Sequence, residues 1–188
     1  MGTPVIVDAA RTPFGRRNGE LSGVHAAVLL AQAMRGAVAR LDLDPAVLEQ
    51  VIGGCVTQAG EQSASVVRNA WMHAGLPEHA GATTIDSQCS SAQQSLHLIA
   101  ALIAADVISA GMACGVEMMS RVPLLSNITE ETGVPRPDYL SFEAPDQFTA
   151  ADRIARRRGF TRQEVDAFGL QSQQRARQAW EAGRISPQ

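Results

Sequence analysis

Apolar and polar positions along the first 117 residues fall into blocks that predict strands and helices in turn. A short β-branched run at 4–7 predicts a first strand, and a polar, glycine-containing loop follows it. The broad apolar face between Ser22 and Leu41 predicts a helix, and Asp44-Pro45 opens a second, short one. This alternation is typical of a layered α/β fold in which helices connect the strands of one sheet. Further strands are predicted at 51–56, 82–88 and 108–116, and further helices at 63–75 and 91–107.

The helix predicted at 91–107 is apolar almost all round, and we therefore expect it to be buried. The pattern changes after Glu117, where four prolines punctuate residues 123–145 and the periodicity is weak. An excursion from the sheet is predicted there. Helical periodicity resumes near Asp146, and Thr161 with Glu164 forms the capping-box signature of an amphipathic helix running to about 182.

Composition narrows the class of protein. The chain has 188 residues, 45% of them hydrophobic and 19% charged, which is typical of a folded globular domain and not of a disordered one. A formal net charge of -3 with scattered basic residues argues against nucleic-acid binding. Neither a signal-peptide pattern nor a run of eighteen apolar residues is present, so no membrane partner is predicted and a cytoplasmic location is expected.

The three cysteines differ in their settings. Cys55 and Cys114 stand inside apolar strand runs and are expected to be core residues, and no spacing predicts a disulfide or a metal site. Cys89 stands at a junction of strand and helix, where backbone N–H groups and the helix dipole favour a thiolate. Ser90 and Ser91 could cap that helix. From the residues alone, Cys89 is either a nucleophile or a small core residue.

The four histidines offer no evident proton acceptor for such a thiolate. His97 lies eight residues after Cys89 on the helix predicted to be buried, so it is expected to be a core or interface residue and not a base. His25, His73 and His79 have no informative spacing.

Four blocks of this sequence, in order along the chain, resemble the thiolase family, and especially its acetyl-CoA C-acyltransferase (3-ketoacyl-CoA thiolase) branch. One block of this chain resembles the active-site segment of that family: Ala82-Thr-Thr-Ile-Asp-Ser-Gln-Cys-Ser-Ser-Ala-Gln-Gln-Ser-Leu-His97. The other blocks are Ala9-Ala-Arg-Thr-Pro-Phe-Gly15, Gly115-Val-Glu-Met-Met-Ser-Arg-Val-Pro123 and Gly159-Phe-Thr-Arg-Gln-Glu-Val-Asp-Ala167.

The resemblance implies a thiolase-like layered fold of which this chain is the N-terminal part. Residues 1–117 would be the N-terminal core half and 118–188 an incomplete loop domain, in a homodimer or homotetramer. Cys89 would be the acyl-thioester nucleophile that cleaves 3-oxoacyl-CoA with CoA, or catalyses the reverse Claisen condensation. CoA and acyl-CoA would be substrates, with no further cofactor and no metal, and no residue here is assigned to CoA binding. The family's acid–base cysteine and activating histidine belong to motifs absent from this sequence, so the fragment alone is expected to be inactive.

Two alternatives remain at this point. The Cys89-Ser90-Ser91 run is also compatible with a β-ketoacyl synthase-like condensing enzyme, and a half-length chain could be a non-catalytic thiolase-like subunit. Ser90 follows the nucleophile where glycine is usual in the family, and Ser87 stands where arginine is expected in the nearest branch. Both positions bear on the acyl chain used, fatty or sterol-derived, more than on the reaction type.

Overall fold

The protein is described here from a computed structural model, covering residues 2–41, 43–131, 133–137 and 139–184. The chain divides into two compact units, 1–134 and 135–188. The first contains three α-helices and three strands: α1 (Ala26–Arg40), β1 (Gln50–Gly54), α2 (Val66–His73), β2 (Gly81–Ile85), α3 (Ser91–Ala104) and β3 (Gly111–Gly115). Short 3-10 turns stand at Glu20–Gly23, Pro45–Val47 and Gly60–Gln62.

The three strands form one parallel sheet in the order β2-β1-β3. Gln50 at the start of β1 lies opposite Gly81 and Gly111, and the register continues without a break to Gly54. Because each strand is followed by a helix before the next parallel strand begins, the predicted α/β alternation is confirmed.

Helices cover both faces of the sheet. Successive residues of a strand point to opposite faces of the sheet, so an added Cβ at Gly53 and one at Gly54 would point to opposite faces. A Cβ added to Gly53 would meet Val67 of α2, whereas one added to Gly54 would meet Ser91 and Ala92 of α3. Helix α2 therefore lies on one face and α3 on the other.

The main core lies between α1, α2 and β1. Leu30, Met34, Val51, Val67 and Trp71 are each at most 3% exposed and belong to one apolar cluster. The indole N–H of Trp71 donates to the carbonyl of Pro77 at 2.8 Å, so the largest side chain of this core is both packed and hydrogen-bonded.

The prediction of a strand at 4–7 is wrong. Val5, Ile6 and Val7 are 72%, 70% and 70% exposed, and the segment has no regular secondary structure. A β-branched run forms a strand only where a neighbouring strand and a half-buried face receive it. Within the described residues β3 pairs only with β1, so nothing adjoins this segment as a strand.

Helix α3 also differs from its expectation. Its buried residues, Ser91, Ser95 and Ile99, form a single stripe at four-residue spacing, and Ser95 donates from its hydroxyl to the Cys114 carbonyl at 3.1 Å. His97 and Leu98 are exposed, so the prediction that the helix is buried all round is wrong for the residues described. The sheet covers one face of the helix, and burial of the other faces needs a second layer.

Among its described residues, the second unit contains two helices, α4 (Gln147–Arg158) and α5 (Arg162–Glu181). Asp146 caps α4 by accepting from Phe148 and Thr149, and Gly159 ends it with φ +69°. The predicted capping box at Thr161 and Glu164 is confirmed at the start of α5. The boundary predicted at 117/118 between a core half and a loop domain stays a prediction.

Candidate active site

The turn between β2 and α3 presents Cys89 to solvent. Cys89 is exposed, and it precedes the first residue of α3 by two positions. Gln88 has φ +52°, a left-handed conformation that non-glycine residues adopt rarely and that reverses the chain sharply. The Asp86 carboxylate accepts from the Gln88 N–H at 2.8 Å and stabilises this turn. The arrangement is that of a side chain projected outward between a strand and a helix.

The serines around Cys89 brace the turn and do not cap the helix. The Ser91 hydroxyl accepts from the Ser87 N–H at 2.8 Å and donates to the Gln88 carbonyl at 2.6 Å. The Ser90 hydroxyl donates to the Ser87 carbonyl at 2.7 Å, and Ser90, although it holds the N-cap position, makes no side-chain cap bond. The expected capping role is therefore wrong for Ser90 and Ser91. Ser87 and Ser90 thus bond to each other.

Two glycines form a floor beneath the first turn of α3. A Cβ on Gly54 would lie 2.5 Å from the Ala92 nitrogen and 2.6 Å from the Ser91 carbonyl carbon. A Cβ on Gly115 would lie 2.8 Å from the Cβ of Ala92. We call Gly54 and Gly115 the glycine floor. Because the helix rests directly on the ends of β1 and β3, the position of Cys89 depends on those strand ends.

The other two cysteines are less exposed than Cys89: Cys55 is buried, as predicted for a core residue, and Cys114 is half-buried. Cys55 is 1% exposed, and burial raises the pKa of its thiol to about 12, with the carboxylates of Glu117 and Asp86 adding to the effect. Burial likewise raises the pKa of Cys114 to about 12, and its sulfur packs against the backbone of Gly53. Neither thiol is therefore available as a thiolate near neutral pH.

No histidine among the described residues is hydrogen-bonded to Cys89. His97 is exposed and pairs with Gln93 at 2.9 Å, so of its two expected places the core is wrong, whereas a place in an interface stays a prediction. The ring of His25 accepts from the Ala27 N–H at the start of α1. Neither the sequence nor the described residues therefore offer a histidine that could accept the proton of the Cys89 thiol.

An apolar groove of about 1270 Å³ lies between the N-terminal segment, α1, α3 and β3. Leu96, His97 and Ile103 line it from α3. Across 2–41, 43–131, 133–137 and 139–184, each helix is too short or too polar to cross a bilayer. In those same ranges, no three His, Cys, Asp or Glu side chains converge as metal ligands would.

The sequence predicted the strand–helix junction at Cys89 but not the glycine floor. The available signal was glycine at the ends of two predicted strands, since glycine in a strand often marks close approach of another backbone. Which backbone approaches, however, is decided by packing between segments distant in sequence.

The fold and the turn define a class: an α/β protein with an exposed cysteine between a parallel strand and the helix that follows it. The chain belongs to the thiolase family, because residues 4–187 match the model of the thiolase N-terminal domain. It is 38% identical over 191 residues to the steroid 3-ketoacyl-CoA thiolase FadA6 of Mycobacterium tuberculosis, covering 95% of this chain and 46% of that protein. It is 35% identical over 188 residues to the 3-ketoacyl-CoA thiolases of Shewanella sp. (strain ANA-3) and Shewanella baltica (strain OS155), covering 99% of this chain and 48% of each. The chain thus spans about half the length of these curated relatives.

Proposed function

We propose that the intact protein is an acetyl-CoA C-acyltransferase in which Cys89 carries the acyl group. The observation that carries the proposal is the contrast among the three thiols. Cys89 is exposed at a sharp turn before a helix, whereas Cys55 is buried, Cys114 is half-buried, and burial raises the pKa of both thiols. Membership of the thiolase family supports the reaction class, and the names of the relatives support 3-oxoacyl-CoA as substrate.

The reaction has two steps. The Cys89 thiolate attacks the 3-keto carbon of a 3-oxoacyl-CoA, the bond between carbons 2 and 3 breaks, and the two-carbon fragment takes a proton and leaves as acetyl-CoA. The thiol of a second CoA then loses its proton and attacks the Cys89 thioester, which releases the shortened acyl-CoA and regenerates the thiolate. The reverse sequence is a Claisen condensation. The proton transfers need an acid–base group that is not found beside Cys89 among the described residues.

The apolar surface supports assembly with a further protein layer. Val5, Phe14 and Leu98 are 72%, 90% and 36% exposed, and the groove beside α3 is lined mainly by apolar side chains. Exposed apolar surface on this scale marks an interaction site or an aggregation liability. We propose residues 1–117 as the core half and 118–188 as the loop domain of a thiolase that is a cytoplasmic homodimer or homotetramer. Lipid breakdown by β-oxidation is the proposed context.

The family match favours a thiolase over a β-ketoacyl synthase-like condensing enzyme. The remaining alternative, a non-catalytic thiolase-like half subunit, is separated by a trapping experiment on the intact protein. The protein is exposed briefly to a 3-oxoacyl-CoA without free CoA, and its mass is measured before and after CoA is added.

The expected result is an acyl adduct that maps to Cys89 and disappears on addition of CoA. Cys89→Ser should form no adduct that CoA removes, whereas Cys114→Ala, the matched control at a half-buried thiol, should form it normally. An adduct on another residue, or none on a folded protein, would refute the assignment and favour the non-catalytic subunit.

A further inference from the structure

The carboxylate of Glu117 connects the ends of β1 and β3, on which the turn that carries Cys89 rests. We call that turn, residues 86–90, the nucleophile turn. Glu117 follows Gly115 by two residues, just beyond the end of β3. Its side chain accepts from the backbone N–H of Val56 at 2.8 Å and of Thr57 at 3.2 Å, just beyond the end of β1. The carboxylate thus joins the two chain segments that leave the glycine floor.

A buried amide completes this connection. Gln62 is 0% exposed, and its Nε2 donates to Glu117 at 3.0 Å and to the Thr57 carbonyl at 2.8 Å. Its Oε1 accepts from the Met118 N–H at 2.6 Å. We call Glu117, Gln62 and the backbone that they bind the carboxylate clasp. Each contact in the clasp is a directional hydrogen bond in a partly or fully buried setting. The clasp therefore fixes the distance and the orientation of the two strand ends relative to each other.

The clasp lies immediately beyond the glycine floor. The Val116 N–H also donates to the Gly54 carbonyl at 3.0 Å, so the two strand ends are joined at consecutive positions. The first turn of α3 packs directly on Gly54 and Gly115, through the backbone of Ser91 and Ala92 and through their Cβ atoms. A change in the spacing of the strand ends would therefore move that turn, and with it Cys89.

We propose that Glu117 is a positioning residue for the reaction of Cys89: through the carboxylate clasp it sets the glycine floor that holds the nucleophile turn. The inference rests on the proposed acyl transfer at Cys89. Glu117 does not touch the reacting atoms in this role; it acts through Gly54, Gly115 and α3.

The substitution that tests this is Glu117→Gln in the intact protein. The carboxylate accepts from three N–H donors, whereas an amide has one acceptor oxygen and one donor nitrogen. At least one of the three donors would then face another donor. We expect kcat to fall roughly tenfold to a hundredfold, since misplacement of a reacting group by about 1 Å costs that much, while KM changes little.

A second readout does not depend on substrate. The rate at which iodoacetamide alkylates Cys89, followed against pH by mass spectrometry of the peptide, reports the setting of the thiol itself. We expect Glu117→Gln to slow alkylation and to displace the pH profile. If the unaltered protein forms no acyl adduct, the proposed function fails, and the alkylation profile still tests whether Glu117 positions Cys89.

The matched control is Glu61→Gln, which makes the same chemical change on the neighbouring residue of the Gly60–Gln62 turn. Glu61 binds Arg121 and the Ala26 N–H and does not contact the end of β1. We expect it to lower stability without changing kcat or the alkylation profile. An unaltered kcat and profile in Glu117→Gln, or an equal loss in Glu61→Gln, would overturn the proposal.

Gly115→Ala keeps the test decisive if Glu117→Gln fails to fold. It leaves the clasp chemistry intact but places a Cβ 2.8 Å from the Cβ of Ala92, which pushes the first turn of α3 off its floor. The same fall in kcat and the same slower alkylation are expected. A normal profile in Gly115→Ala would show that Cys89 does not depend on the floor, and the inference would be wrong.

Discussion

Gly54→Ala tests how closely α3 rests on the sheet. The new Cβ would lie 2.5 Å from the Ala92 nitrogen and 2.6 Å from two atoms of Ser91, where ordinary contact begins at 3.4 Å. The first turn of α3 would therefore have to retreat by about 0.9 Å, because two of the three atoms are backbone and cannot rotate away. A displacement of this size also loosens the packing of Ser91 and Ser95 against the sheet.

We expect Gly54→Ala to lower the free energy of unfolding by about 1–3 kcal/mol, the usual cost of overpacking. The measurement is urea unfolding of the intact protein, in which the midpoint should fall while the dependence on urea concentration stays the same. Alkylation of Cys89 should also slow, since the displaced turn carries that residue.

Gly36→Ala is the matched control. Gly36 lies in α1, and an added Cβ would meet no atom within 4 Å beyond the backbone of its own helix. Alanine there should therefore raise the free energy of unfolding by about 0.5–1 kcal/mol. The two glycine-to-alanine changes should thus act in opposite directions. Equal small effects from both would refute the reasoning that α3 rests directly on Gly54.

Three further predictions concern the core, an ion pair and a helix end. Trp71→Phe removes the hydrogen bond to the Pro77 carbonyl from a fully buried site, so the free energy of unfolding measured in urea should fall by about 1–3 kcal/mol. In the control, Trp180→Phe, the side chain is 65% exposed, and the free energy of unfolding should change by less than about 0.5 kcal/mol. The Arg121 guanidinium holds the pKa of Glu61 below its usual 4.5, and the Ala26 N–H adds to this against burial. Stability from Glu61 is therefore complete above pH 4.5 and lost as the pH falls through the lowered pKa, so unfolding measured across this acid range should depend less on pH in Glu61→Gln. Gly159→Ala should speed hydrogen exchange in the last turn of α4, because alanine disfavours the φ of +69° by about 1–2 kcal/mol. Gly159→Asn should speed exchange less, since asparagine tolerates this conformation better. Equal exchange rates in the two variants would contradict the explanation from backbone conformation.

Local pattern was sufficient for the elements that depend on neighbours in sequence. The periodicity of residues 22–41 predicted α1, and the Thr161–Glu164 signature predicted the start of α5, because helix propensity and capping act within a few residues. Cys89 was placed at a strand–helix junction for the same reason. The resemblance to thiolases added the chemistry expected of that residue.

Local pattern was insufficient where a second segment decides the outcome. The run at 4–7 has the composition of a strand, yet it lies exposed because strand formation needs a hydrogen-bonding partner that the run cannot specify. Helix α3 was expected to be buried on all sides, but one layer of sheet covers only the stripe of Ser91, Ser95 and Ile99.

The sequence by itself determined the α/β alternation, the family and the place of Cys89 at a strand–helix junction, since each rests on short-range pattern or on collinear motifs. The exposure of Cys89 was decided by the tertiary structure. Only the tertiary structure decided that Gly54 and Gly115 support α3 and that Glu117 joins the strand ends beneath it. These contacts bring together residues dozens of positions apart, and close packing permits them only at the positions where a missing Cβ leaves room.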